Sequence, residues 1–171
     1  MRMLLIAAAL FAPGTAWAAS GDIGCIEAKL GPAAMQRIGD GVVAAADKGG
    51  NPATALDTDR DALLAARQAC RTGGNWSPTA VQTAVSYTQG RATKLGAEAA
   101  LRNDQLDATK LAAAYAALPA QDRKSLIAKA SSGALAAVTS ATTRPSARRH
   151  VLLYFAALAA IEFYPAEFAA A

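Results

Sequence analysis

The chain has 171 residues, of which 53% are apolar and 18% charged, with a formal net charge of +4. That length points to one domain, large enough to bury roughly two-thirds of its unfolded surface without metal staples. The apolar share excludes a disordered chain, and so small a positive excess gives no case for nucleic-acid binding. The charge is unevenly spread. Residues 19–62 carry seven acidic and four basic groups, residues 63–171 six and twelve, so the front is acidic and the back basic.

The first segment reads as an address. Met1-Arg2-Met3 is a short positive start, Leu4 to Ala12 an apolar core, and Pro13-Gly14 a helix breaker. Ala16-Trp17-Ala18 fits the small-x-small cleavage pattern, so residues 1–18 are expected to be a secretory signal peptide cut after Ala18. The apolar core is too short to span a bilayer. A lipidated cysteine is not expected at Cys25, because Asp22 stands where a leucine-like residue is required. The destination is periplasmic or secreted, with residues 19–171 forming the mature domain. No transmembrane segment is expected there, since no later apolar run reaches the needed length.

Cys25 and Cys70 are the only cysteines. In an oxidising compartment the pair reads as one disulfide. No C-x-x-C and no C-x-x-C-H occurs, which argues against thioredoxin-like and c-type haem sites. Two cysteines and one histidine are too few for a typical structural zinc site. No cofactor is implied.

In chain order, Ile23 to Leu30 is a predicted short helix ended by Gly31, and Pro32 starts the next. Met35, Ile38, Val42 and Ala46 then mark one buried face. Gly39 and Gly41 weaken that helix unless they admit a neighbour. Gly49 to Pro52 is a loop. Asp57-Thr58-Asp59-Arg60-Asp61 resembles the opening of a calcium loop. Ala62 and Gln68 replace the glycine and glutamate such a loop requires, so no metal is expected. Asp57 is read instead as a helix cap, with Asp59 and Asp61 in the first turn of a helix running to about Cys70. Leu63, Ala66 and Cys70 share its inner face.

Trp76 is expected to close one end of a core. Ser77-Pro78 starts a long helix reaching about Arg102, with a seam of Val81, Val85, Thr88, Ala92, Leu95 and Ala99. Tyr87, Arg91, Lys94, Glu98 and Arg102 form its solvated face, with Glu98 paired to Arg102. Asn103 or Asp104 caps a shorter helix through Leu118, with Leu106, Ala113 and Leu111 to Leu118 as inward candidates. Pro119 opens another, carrying Leu126, Ile127, Ala130, Ala134 and Val138, broken or kinked at Ser131 to Gly133. Thr139 to Thr143 is a linker.

The last helix follows Arg144-Pro145 and is expected to stop at Pro165. Val151 to Ile161 contains no charge and no strong polar group, so this helix must be surrounded and is read as the centre of the fold. Of eight aromatic residues after residue 18, four lie between His150 and Tyr164, which makes this stretch the main store of large side chains. Phe168 follows on a tail that either packs or frays. No strand alternation occurs. The expected fold is all-α, a single-domain bundle of six or seven helices with one disulfide and a buried C-terminal helix.

The chemistry available is sparse. His150, the sole histidine, reads as a boundary residue. Glu162 lies about 18 Å along the same helix, too far to pair with it. Glu162 is expected to reach solvent beside Pro165; enclosed in a pocket, it would be the leading catalytic candidate. No nucleotide-binding, G-x-S-x-G or H-E-x-x-H motif occurs. The remaining feature is a basic cluster, Arg123, Lys124, Lys129, Arg144, Arg148 and Arg149 against Asp122 alone. Charge bias of this kind is ordinarily a solvated surface. Its functional reading places a candidate binding patch at Arg144, Arg148, Arg149 and His150, for an anionic envelope polymer or an acidic protein. The expected function is that of a non-catalytic envelope binding protein. The rivals are an unfamiliar enzyme using Glu162 or His150, and a chaperone or inhibitor with an apolar groove.

Overall fold

A computed structural model describes residues 21–171; the leader predicted at residues 1–18 lies outside them. The described residues form seven α-helices: α1 Cys25–Asp47, α2 Arg60–Gly74, α3 Pro78–Asn103, α4 Ala108–Ala116, α5 Ala120–Ser125, α6 Ser132–Ala141 and α7 Pro145–Ala169. A 3-10 segment, Pro52–Asp59, leads into α2, and no strand occurs among the described residues. The all-α bundle and the Cys25–Cys70 disulfide are both present, the latter spanning 45 residues. The disulfide suggests a non-cytoplasmic location.

Local chemistry sets most helix ends. Ser77 accepts a hydrogen bond from the Ala80 N–H at 3.0 Å, with Pro78 at the first helical position. Ser131 does the same for Ala134 at 3.2 Å, so the expected interruption is a full break between α5 and α6. Gly31 takes φ 74° and ψ 170°, and α1 is two helices joined across that kink, with Pro32 just beyond it. Four boundaries differ from expectation. The helix start expected at Asp57 comes at Arg60, because Asp59 gives its carboxylate to Arg37 rather than to the helix end. Asp107, not Asn103 or Asp104, caps α4, accepting from the N–H groups of Thr109 and Lys110. Ala141 still belongs to α6, so the linker is shorter than predicted. Finally, α7 runs through Pro165 to Ala169. A proline there costs a helix hydrogen bond, on the order of 3 kcal/mol. Phe168 compensates from the last turn, buried edge-on against Trp76 at 4.9 Å between ring centroids.

The helix at the centre is α3, not α7. It packs most extensively against α7 and next against α1, and its buried residues occur on more than one face. Small residues make this possible. A Cβ on Gly39 would strike the backbone of Ala92 and Gly96, and one on Gly96 would strike the backbone of Gly39 and Asp40. Glycine on both sides therefore lets α1 and α3 touch backbone to backbone. Likewise a Cβ on Gly90 would lie 2.6 Å from that of Ala160, which fixes how closely α7 approaches. The seam drifts accordingly. Leu95 is exposed, while Gly96, Ala97, Ala100 and Leu101 are buried.

The strip Val151 to Ile161 is enclosed as required: none of its residues is exposed, although five are only partly buried. By length and mean hydropathy α7 is long and apolar enough to cross a membrane. Within the bundle it packs against α3, α4, α5 and α6, and 39% of its apolar 18-residue stretch is buried.

Candidate functional site

The three long helices share two ends. α1 and α3 run the same way and α7 runs back along α3, as Trp76–Phe168, Gly90–Ala160 and Asp104–His150 show in turn. At the Trp76 end, Ile26, Leu63, Cys70, Ala80, Val81 and Phe168 form an apolar cluster around the disulfide. Trp76 is therefore a core residue, as the sequence implied.

At the other end stands His150, buried at 8% exposure. Its Nδ1 lies 2.7 Å from Asp104 Oδ2 and its Nε2 lies 3.1 Å from Asp47 Oδ1. Both ring nitrogens face carboxylates, one from the end of α1 and one from the end of α3. Arg149 lies 3.5 Å from Asp47, and Arg144 lies 3.6 Å from Asp104 and also donates to the Asp104 carbonyl. Arg148 donates through Nε to the Thr142 carbonyl at 3.0 Å. The structure thus gathers all four predicted binding residues, and it places two carboxylates among them. Asp47 and Asp104 are residues that sequence reasoning missed in this role. The arrangement turns both ring nitrogens toward carboxylates of this chain.

A second constellation holds Glu162. Arg123 grips it with Nε and Nη2 at 2.9 to 3.2 Å, and the Tyr115 hydroxyl donates to it at 2.6 Å. Arg123 also donates to the Leu118 carbonyl at 2.6 Å and lies over the Tyr115 ring. The Arg123 hydrogen bond, with help from Tyr115, holds the Glu162 carboxyl below its usual range despite some desolvation. Burial first, then the neighbouring carboxylate, pushes the Tyr115 phenol upward. Glu162 does reach solvent, as expected, but fully committed to ties between α4, α5 and α7. An ionised, twice-bound carboxylate is a poor general acid.

Other charges are also paired. Arg91 grips Glu27 across α1 and α3 at 3.0 Å, and Lys94, rather than Arg102, takes Glu98 at 2.5 Å. Asp57 faces Arg60 at 3.6 Å and Asp59 faces Arg37 at 2.5 Å, so arginines hold two of the three aspartates in the calcium-like stretch.

Two clefts lie between these constellations. One, of about 300 Å³, is lined by Val42 of α1, Ser86, Gln89 and Thr93 of α3, Ala157 and Tyr164 of α7, and neighbouring small residues. The other, of about 360 Å³, is lined by Ala46, Ala130, Leu152, Lys129 and Arg149 among others. Leu126, Leu153 and Ala156 border both. Neither contains His150 or Glu162. No family model matches the chain, and no curated protein or solved structure matches it either.

Proposed function

We propose that the chain is an exported, non-catalytic binding protein of the bacterial cell envelope. One observation carries this reading: the two side chains best suited to catalysis, His150 and Glu162, are spent on joining helices and stay out of the clefts. The leader pattern of residues 1–18 and the Cys25–Cys70 bond support export.

The surface around Arg144, Arg148, Arg149 and Lys129 is the contact face of this reading. Asp47 and Asp104 neutralise part of it, leaving a small positive excess rather than a strong field. The partner chemistry it favours is anionic, either an envelope polymer or an acidic protein. The test is retention of the exported protein on anionic envelope material across a salt series. Retention is expected to fall steeply as the Debye length shrinks from about 10 Å at 0.1 M to about 3 Å at 1 M. Retention indifferent to salt overturns the ionic part of the reading. Mass spectrometry of the exported chain, expected to begin at Ala19, checks the address.

A further inference from the structure

The two clefts adjoin along α7 and have Leu126, Leu153 and Ala156 as a common wall, so they are read together as one trough. Both use the same stretch of α7: Arg149, Leu152, Leu153 and Ala156 border one, and Leu153, Ala156, Ala157, Ala160 and Tyr164 the other. Val42 and Ala46, one turn apart on α1, line them in the same order. From Arg149 to Tyr164 the trough follows about 22 Å of helix at about 1.5 Å per residue. Its middle is apolar, built from leucines, Ile127 and alanines whose small size leaves the space open. One end offers neutral hydrogen-bonding groups, Ser86, Gln89, Thr93 and Tyr164. The other end offers Lys129 and Arg149.

The polarity of this trough selects a ligand. Lys129 is exposed and enters no ion pair among the described residues, and Arg149 is only loosely held by Asp47. An apolar middle stretch with cations at one mouth complements a molecule that has one anionic end and a hydrocarbon body. A peptide would leave its backbone groups unpaired along the alanine and leucine walls. A hydrocarbon has no such groups. The combined space also falls within the usual range for small-molecule sites, roughly 300–1,000 Å³. Resting on the reading of this chain as a binding protein, we infer that the trough takes a single long-chain fatty acid. Its carboxylate would meet Lys129 and Arg149, and its chain would lie along α7 toward Tyr164.

The experiment is calorimetric titration of the purified exported protein with hexadecanoate below its micelle concentration. Hexadecanol and phosphatidylglycerol vesicles serve as comparison arms. Saturable one-to-one binding of hexadecanoate is expected, weakened about tenfold, the equivalent of about 1.4 kcal/mol, in Lys129→Gln and with hexadecanol. Ala156→Phe, which fills the shared stretch of both clefts, is expected to abolish binding while circular dichroism shows the native helix content. Absence of hexadecanoate binding overturns the proposal. So does equal binding of hexadecanol, binding untouched by Ala156→Phe, or association with vesicles alone. If salt-sensitive retention on envelope material persists in any of those cases, the fatty-acid site falls and the broader binding function stands. If hexadecanoate binds and retention fails, the site stands and the polymer reading falls.

Discussion

The two ends of the bundle close the same three helices by different physics. Around Trp76 the closure is covalent and apolar: the Cys25–Cys70 bond, the Trp76–Phe168 ring contact and a shell of aliphatic groups. Around His150 it is ionic: one imidazole between two carboxylates, with Arg144 and Arg149 outside them. Helix dipoles explain the second arrangement. Asp47 is the last residue of α1 and Asp104 the C-cap of α3, so each carboxylate sits where a helix end is already negative. Arg144, Arg148 and Arg149 crowd the start of α7, where a helix end is already positive. Each set is unfavourable alone, and bringing them together compensates both. The apolar end tolerates salt, whereas the ionic end depends on burial to keep its strength.

Both ends depend on the close contact of α1 with α3, and losing it costs the fold most. Gly96→Val puts a branched side chain into the Gly39 backbone, where neither helix can yield without separating. The expected loss exceeds about 4 kcal/mol, an exceptional value for one substitution, and both ends should fail together. Denaturant unfolding should show no native baseline, or no soluble protein should accumulate. A cooperative transition within about 1 kcal/mol of the parent would mean that α1 and α3 do not meet at these glycines.

Next is the covalent closure. The double variant Cys25→Ala, Cys70→Ala releases a loop of 45 residues, with an expected loss of about 4 kcal/mol in the chain-entropy account. The loss should be nearly the same at low and high salt, because no ion pair is disturbed. His150→Leu gives the contrast. It leaves Asp47 and Asp104 without the imidazole between them, for an expected loss of about 2–3 kcal/mol. That loss should shrink in 1 M salt, where the parent's ionic end is partly screened. Equal salt dependence in the two variants would erase the distinction between the ends.

The two ends also differ in how legible they were. Cys25, Cys70 and Trp76 announce the apolar end, because a lone cysteine pair and the one tryptophan after residue 18 have few other uses. The ionic end was half visible. His150 and the arginines stood out as a basic group, but Asp47 and Asp104 lie 103 and 46 residues away from the histidine. One signal was available: an acid at the end of a predicted helix opposes the dipole, which calls for a cation from elsewhere. The centre of the fold was misplaced for a related reason. Periodicity ranks helices by apolar bulk, and α7 has the most. Position in a bundle follows close approach, and α3 achieves that with Gly90 and Gly96, which on propensity alone count as defects. Pro165 misled for the same cause, since a local breaker was outweighed by Phe168 packing on Trp76.

Ion pairs between helices do not all count equally. Glu162 is held by Arg123 and Tyr115, but its side chain is 35% exposed, whereas His150 is nearly enclosed. Its carboxyl is depressed in the folded state, chiefly by Arg123. The stabilisation is therefore complete above the unfolded value, near 4.5, and is lost as pH falls through the lower folded value. Glu162→Gln should cost no more than about 1 kcal/mol at neutral pH, because solvent screens so open a pair. The parent and the variant should converge in stability as the medium is acidified. Urea unfolding at a series of pH values reads this directly. A gap that widens on acidification would show that Glu162 is protonated more readily in the fold than outside it, and that the Arg123 grip does not govern its charge.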